Sequence, residues 1–118
     1  MTYKGLLEQI GKFEVLCYKE FPDCEKWFAK VKKDDQIFYI IYRYGKTEFE
    51  DPLCCFLKSI KSLPRDEQEA ELKMFVYCIL NEENACFENK EDLIDFLNQI
   101  EYNKSEIEKM IEWISEQC

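Results

Sequence analysis

The residue types in this chain that could do chemistry are cysteine and the carboxylates, because histidine is absent. Without an imidazole, histidine-based general bases, nucleophilic triads and histidine-ligated metal sites are excluded. Three carboxylate pairs have the i, i+4 spacing that places both groups on one helix face. They are Glu67 with Glu71, Glu88 with Asp92, and Glu108 with Glu112. Such pairs arise by chance in a chain with 25 acidic residues, so we predict no catalytic residue and no metal ligand among them.

The seven cysteines do not form a metal or redox motif. They are Cys17, Cys24, Cys54, Cys55, Cys78, Cys86 and Cys118. No two have C-x-x-C spacing, and zinc without histidine needs four thiolates, usually in two close pairs. An odd number of cysteines without a secretory signal predicts reduced thiols. Cys17, Cys54 and Cys78 are then expected to be small core residues. The terminal Cys118 is expected to be exposed and to form intermolecular disulfides in air.

Cofactor binding has no signature in the sequence either. The three glycines are isolated, so no glycine-rich phosphate loop is present, and the spacing of an EF-hand loop does not occur. We therefore predict that the protein is not an enzyme and takes no cofactor.

Charge is distributed unevenly along the chain. The net charge is −9, which argues against direct binding of nucleic acid because the protein's overall field repels phosphates. Residues 1–62 contain 11 basic and 10 acidic side chains, whereas residues 63–118 contain 5 basic and 15 acidic ones. The acidic half indicates either a solvated helical surface or a docking surface for a basic partner.

Two neighbouring segments predict a β-hairpin with large apolar groups on both faces. A two-residue turn at Asp34-Asp35 would pair Val31 with Phe38 and Ala29 with Ile40 on the core face. The opposite face then carries four large apolar side chains beside Lys30 and Lys32, namely Phe28, Ile37, Tyr39 and Ile41. Either helices cover both faces, or this second face is exposed and binds a partner or a second copy of the chain.

The remaining elements follow from periodicity and caps. An amphipathic helix capped by Thr2 precedes a first strand that begins at Phe13, and the strand after Asp34-Asp35 extends to Gly45. Asp51 caps the next helix, which has Pro52 in its first turn. The next helix is predicted to begin near Pro64. Its segment Met74–Leu80 is a continuous apolar run that fits a buried strand equally well, and periodicity does not distinguish the two. Two helices complete the chain, the first capped by Asn89 and the last by a Ser105-x-x-Glu108 capping box.

The predicted fold class is α+β, with a three-stranded antiparallel meander packed by about five helices in the order α-β-β-β-α-α-α-α. We expect residues 1–118 to form a single globular domain. No apolar run has the ~18 residues needed to span a bilayer, and no secretory signal is recognisable at the start. A cytoplasmic location is therefore expected, with no membrane partner.

No motif identifies a family. In physical type the chain resembles acidic proteins that act by stoichiometric binding, such as bacterial immunity proteins, phage inhibitors of host defence nucleases and secretion chaperones. This resemblance implies inhibition of a protein partner that has a basic surface, for example a nuclease, through imitation of nucleic-acid charge. The alternative is a dimeric assembly or chaperone module that binds a protein segment through the apolar face of the hairpin.

The predicted partner-binding residues belong to the last helices and to the second face of the hairpin. They are Glu91, Asp92, Asp95, Glu101, Glu106, Glu108, Glu112 and Glu116 in the acidic region, with Phe28, Tyr39 and Ile41 in the hairpin.

Overall fold

The computed structural model describes residues 1–44, 51–81 and 86–118, and in these ranges helices pack on both faces of an antiparallel sheet. The elements are α1 (Tyr3–Gly5, continued by a π-helical turn at Leu6–Ile10), β1 (Glu14–Phe21), a 3-10 turn (Pro22–Cys24), β2 (Lys26–Lys33), β3 (Gln36–Arg43), α2 (Pro52–Ser59), α3 (Arg65–Asn81), β4 (Cys86–Phe87), α4 (Lys90–Asn98) and α5 (Lys104–Gln117). The α+β class is confirmed. The predicted strand end at Gly45 lies outside the described residues.

The sheet has four strands in the order β1-β2-β3-β4, so the prediction of a three-stranded meander was wrong by one strand. The additional strand, β4, pairs antiparallel with Tyr39 and Ile40 of β3. It also changes the order of elements to α-β-β-β-α-α-β-α-α. A strand of two residues is too short to show an alternating pattern, which is why the sequence did not reveal it.

The register of the β2–β3 hairpin agrees with the prediction. Asp34-Asp35 forms a two-residue turn in which both residues have positive φ, 53° and 64°, as a tight hairpin turn requires. Val31 then pairs with Phe38 and Ala29 with Ile40. The two faces of the hairpin therefore carry the residues expected of them.

The first face of the sheet packs against α1, α2 and α3. The side chains buried between this face and the helices form the first core. They are Tyr3, Leu6, Leu7, Phe13, Trp27, Ala29, Val31, Ile40, Leu53, Ile60, Leu72, Val76 and Ile79. The hydroxyl of Tyr3 donates a hydrogen bond to Asp51, and that carboxylate also accepts from the backbone N–H of Leu53. This pair of contacts fastens the start of α2 to α1.

The second face is covered by α4 and α5, which decides between the two alternatives left open for the hairpin. The exposed fractions of Phe28 and Ile41 are 0% and 3%, and both pack against the buried stripes of these two helices. The expectation that Phe28 and Ile41 act as exposed anchors is therefore wrong. Each helix carries an apolar stripe that must be buried, and the second face supplies the surface for it.

Met74–Leu80 belongs to helix α3. Leu72, Val76 and Ile79 point into the core at i, i+4 and i+7, whereas Met74 and Cys78 are exposed. The prediction that Cys78 is a core residue was wrong, because the helix distributes its seven consecutive apolar residues around its circumference.

Three of the four predicted helix caps are confirmed. The side chains of Thr2, Asp51 and Asn89 accept hydrogen bonds from backbone N–H groups of the helices that follow them. The capping box at Ser105 was wrong: α5 begins at Lys104 and follows Asn103, which has a φ of 50° and makes no side-chain capping hydrogen bond.

A disulfide joins Cys17 to Cys118, which have a sequence separation of 101 and Cα atoms 6.4 Å apart. This contradicts the expectation that both cysteines are reduced and that Cys118 is available for intermolecular disulfides. Cys17 lies in β1 next to an irregularity in the pairing with β2. The bond therefore fastens the end of α5 to strand β1.

Candidate interaction surface

The predicted acidic residues all lie on or between α4 and α5. They are on the outer side of the second core, which these two helices form with the second face of the sheet. Seven of the eight are exposed: Glu91, Asp92, Asp95, Glu101, Glu108, Glu112 and Glu116. Glu106 is half-buried, because it lies where α5 meets the 3-10 turn. Residues 86–118 contain nine carboxylate side chains and three lysines, so this surface is strongly negative.

Only some of these carboxylates have partners. Glu106 binds Lys109 at 3.2 Å, and Glu101 lies 4.0 Å from Lys104. Asp92 accepts a hydrogen bond from the side chain of Asn89, where it also faces the positive end of the α4 dipole. The structure shows no ion pair within its described ranges for the remaining five: Glu91, Asp95, Glu108, Glu112 and Glu116.

Three of these unpaired carboxylates form a continuous stripe on α5. Glu108, Glu112 and Glu116 are four residues apart, so they occur about once per helical turn along a length of about 12 Å. The opposite side of the helix is fixed by Ile107, Met110 and Ile114, which are buried in the second core. Because α5 is held in this orientation, the stripe faces solvent. Glu108, Glu112 and Glu116 thus form an acidic stripe along α5.

A groove of about 340 Å³ lies between α5 and the end of β1 with its 3-10 turn. It is lined by Lys19, Glu20, Phe21, Pro22, Asp23, Cys24, Glu106, Lys109 and Trp113. At about 100° per residue, Trp113 and Lys109 lie on the flank of α5 next to Glu116 and Glu112. The groove therefore adjoins the acidic stripe.

Two aromatic rings form the wall of the groove. Phe21 meets Trp113 edge to face, with ring centroids 5.8 Å apart, and Trp113 packs in the same manner on the buried Phe28 at 6.4 Å. The ammonium group of Lys19 lies 5.7 Å from the centroid of Phe21 and 5.5 Å from that of Trp113. The ring pair thus already has a cation against it, as expected from the negative faces of aromatic rings.

The groove also contains a buried thiol. Burial raises the pKa of Cys24 above its ordinary value, with Glu106 and Asp23 acting in the same direction and Lys26 opposing them. A thiol that keeps its proton is a poor nucleophile, so Cys24 contributes apolar contact area to the groove. The ammonium group of Lys26 next to it is itself buried and donates hydrogen bonds to the carbonyl of Cys24 and the hydroxyl of Tyr102.

The structure brings the predicted acidic residues together but separates them from the predicted hairpin anchors. Phe28 and Ile41 lie beneath the helices that carry the acids, and Tyr39 is half-buried with Lys30 5.7 Å from its ring centroid. The groove residues Phe21 and Trp113 were missed. The position of Trp113 was a usable signal, because the other large apolar residues of α5 follow helical periodicity and Trp113 does not. They are Ile107, Met110, Ile111 and Ile114.

No group of three or more metal-ligating side chains occurs within the described ranges. Likewise, in the part of the chain that the structure describes, no helix combines the length and apolar character needed to cross a membrane. Comparison with protein-family models, curated proteins and solved structures gave no match.

Proposed function

We propose that this chain is a non-enzymatic binding protein that inhibits a partner protein by docking α4 and α5 on a basic surface. The observation that carries the proposal is the acidic stripe: exposed carboxylates on successive turns of one helix, without cationic partners in the described residues. Helical surfaces that serve only for solubility usually alternate the two signs of charge. A partner that binds nucleic acid presents a complementary positive surface, and a row of carboxylates can occupy it in place of phosphates.

The carboxylates would act mainly on the rate of association. A negative surface attracts a positive one over distances comparable to the Debye length, which is about 10 Å at 0.1 M salt and about 4 Å at 0.5 M. Steering of this kind raises association rates by about tenfold or more, and the gain disappears as salt is added. The groove beside the stripe supplies aromatic contact area, which the charges by themselves lack.

The proposal is tested by capturing partners on the tagged protein at low salt and at about 0.5 M salt, with identification by mass spectrometry. The paired variant is Glu108→Lys with Glu112→Lys. The matched control is Glu67→Lys with Glu71→Lys, which has the same i, i+4 spacing and the same change in net charge. The control residues are also exposed, but they lie on α3, which packs on the other face of the sheet.

We expect the wild-type protein and the α3 control to retain one basic protein at low salt and to release it at high salt, and the α5 variant to lose it. The isolated partner, if an enzyme, should be inhibited fully at a one-to-one ratio. Retention that is independent of salt, or equal loss in both variants, would contradict charge-directed docking through α5. Retention of further copies of this chain at both salt concentrations would favour the assembly alternative.

A further inference from the structure

The groove between α5 and the 3-10 turn has the chemistry of a site for one particular side chain. Trp113 packs on Phe28, which is fully buried in the second core, and Phe21 packs on Trp113, so the core supports both rings. An aromatic wall supported in this way loses little conformational entropy when a ligand packs on it.

Lys19 indicates which charge the wall prefers. Its ammonium group lies within 6 Å of both ring centroids, and it has no carboxylate partner among residues 1–44, 51–81 and 86–118. Lys19 is exposed, so nothing forces its side chain onto the rings. The attraction between the ammonium group and the ring faces accounts for this position of Lys19. Because the side chain is exposed, a competing cation can displace it into solvent.

Three carboxylates border the same groove. Glu106 is bonded to Lys109, and Glu20 accepts a hydrogen bond from the hydroxyl of Tyr18 at 3.0 Å. Asp23 makes no ion pair among the described residues. A cation that enters the groove therefore meets an aromatic wall and at least one carboxylate without a partner.

We propose that the groove binds an arginine side chain of the basic partner, with the guanidinium group packed against the aromatic wall of Trp113 and Phe21 in place of Lys19 and paired with Asp23. This inference rests on the proposed function and names the anchor that the partner supplies. Arginine suits the site better than lysine for two reasons. Its guanidinium group is planar and weakly hydrated, so it stacks on rings, and its parallel N–H groups match a carboxylate.

The direct test is an NMR titration of the ¹⁵N-labelled protein with three blocked tripeptides, Ala-Arg-Ala, Ala-Lys-Ala and Ala-citrulline-Ala. Citrulline has the shape of arginine without its charge. The chain has two tryptophans, and Trp27 is fully buried in the first core, so its indole N–H signal is an internal control for that of Trp113. We expect the arginine peptide to shift the Trp113 signal to saturation, to leave Trp27 unchanged, and to bind about fivefold or more tightly than the citrulline peptide.

Equal affinity for the arginine and citrulline peptides, equal affinity for arginine and lysine, or no saturable shift at Trp113 would each overturn the proposal. Lys19→Ala provides a second test that does not endanger the fold, because the side chain is exposed. Removing the internal competitor should tighten binding of the arginine peptide by about twofold to fivefold. The matched control is Lys30→Ala, which also removes one charge and one lysine–ring contact but lies outside the groove. Unchanged or weaker binding in Lys19→Ala, or an equal gain in Lys30→Ala, would count against the site.

The wall itself is tested by Trp113→Leu, with binding followed through the backbone amide signals of Phe21 and Asp23. Phe56→Leu is the control for loss of a half-buried aromatic, since Phe56 stacks on Phe75 on the other side of the sheet. We expect about fivefold or greater weakening in the first variant and none in the second. These results are separate from the capture experiment: peptide binding without a salt-sensitive partner would reject the proposed function alone, and a captured partner without peptide binding would reject the arginine site alone.

Discussion

Replacement of Ile41 by alanine tests whether α4 and α5 cover the second face of the sheet in solution. The chain offers a matched control on the same strand and the same face, because Ile37 also points to this side. The exposed fractions of Ile41 and Ile37 are 3% and 36%. Both substitutions remove the same three carbon atoms and the same β-branched strand former, so the loss of strand propensity is common to the two variants.

The magnitude follows from the difference in packing. A fully buried isoleucine changed to alanine costs about 2–5 kcal/mol, because the transfer free energy is lost and a cavity remains. For Ile37 we expect about 1 kcal/mol, since a large part of its side chain already contacts water. The expected difference between the variants is therefore about 1–4 kcal/mol. A domain of this size has a stability of about 5–15 kcal/mol, so a loss of about 3 kcal/mol leaves Ile41→Ala folded in the absence of urea.

The assay is urea unfolding followed by tryptophan fluorescence and circular dichroism. With an m-value of about 1.5 kcal/mol/M, a loss of about 3 kcal/mol lowers the midpoint by about 2 M. Equal midpoints for Ile41→Ala and Ile37→Ala would refute the packing of α4 and α5 on this face. Sedimentation at the same concentrations gives an independent check: a dimer that becomes monomeric in Ile41→Ala, without loss of stability, would instead support an exposed face used for assembly.

Two further predictions concern local features. Peptide mapping of the denatured, non-reduced protein should find Cys17 linked to Cys118, and recovery of both peptides only as thiols would contradict the pairing. Cys118→Ser should lower the free energy of unfolding by about 2–4 kcal/mol, because the bond closes a loop of about 100 residues. Asn89→Ala should lower the free energy of unfolding by about 1 kcal/mol, because the hydrogen bond from the N–H of Asp92 is lost. Ser105→Ala should change it by less than about 0.5 kcal/mol. A larger loss at Ser105 would show that Ser105 caps α5.

The amino-acid sequence by itself determined the features that depend on neighbouring residues. The register of β2 and β3 follows from the two-residue turn at Asp34-Asp35, because the length of a hairpin turn fixes which residues of the two strands pair. The caps at Asp51 and Asn89 act within one helical turn of the residues they bind. The capping box at Ser105 failed because a local motif competes with the backbone conformation before it, in this case the left-handed Asn103.

Only the tertiary structure decided which residues share a surface. The second face of the hairpin looked the same in sequence whether exposed or covered. It is covered because α4 and α5, which follow much later in the chain, pack back onto it. The acidic positions were readable from composition, but their arrangement as a stripe depends on which side of α5 the core fixes. The groove unites Phe21 with Trp113, and the disulfide unites Cys17 with Cys118. Contacts between such distant residues leave no periodic trace in a single sequence, because they are set by how the elements pack.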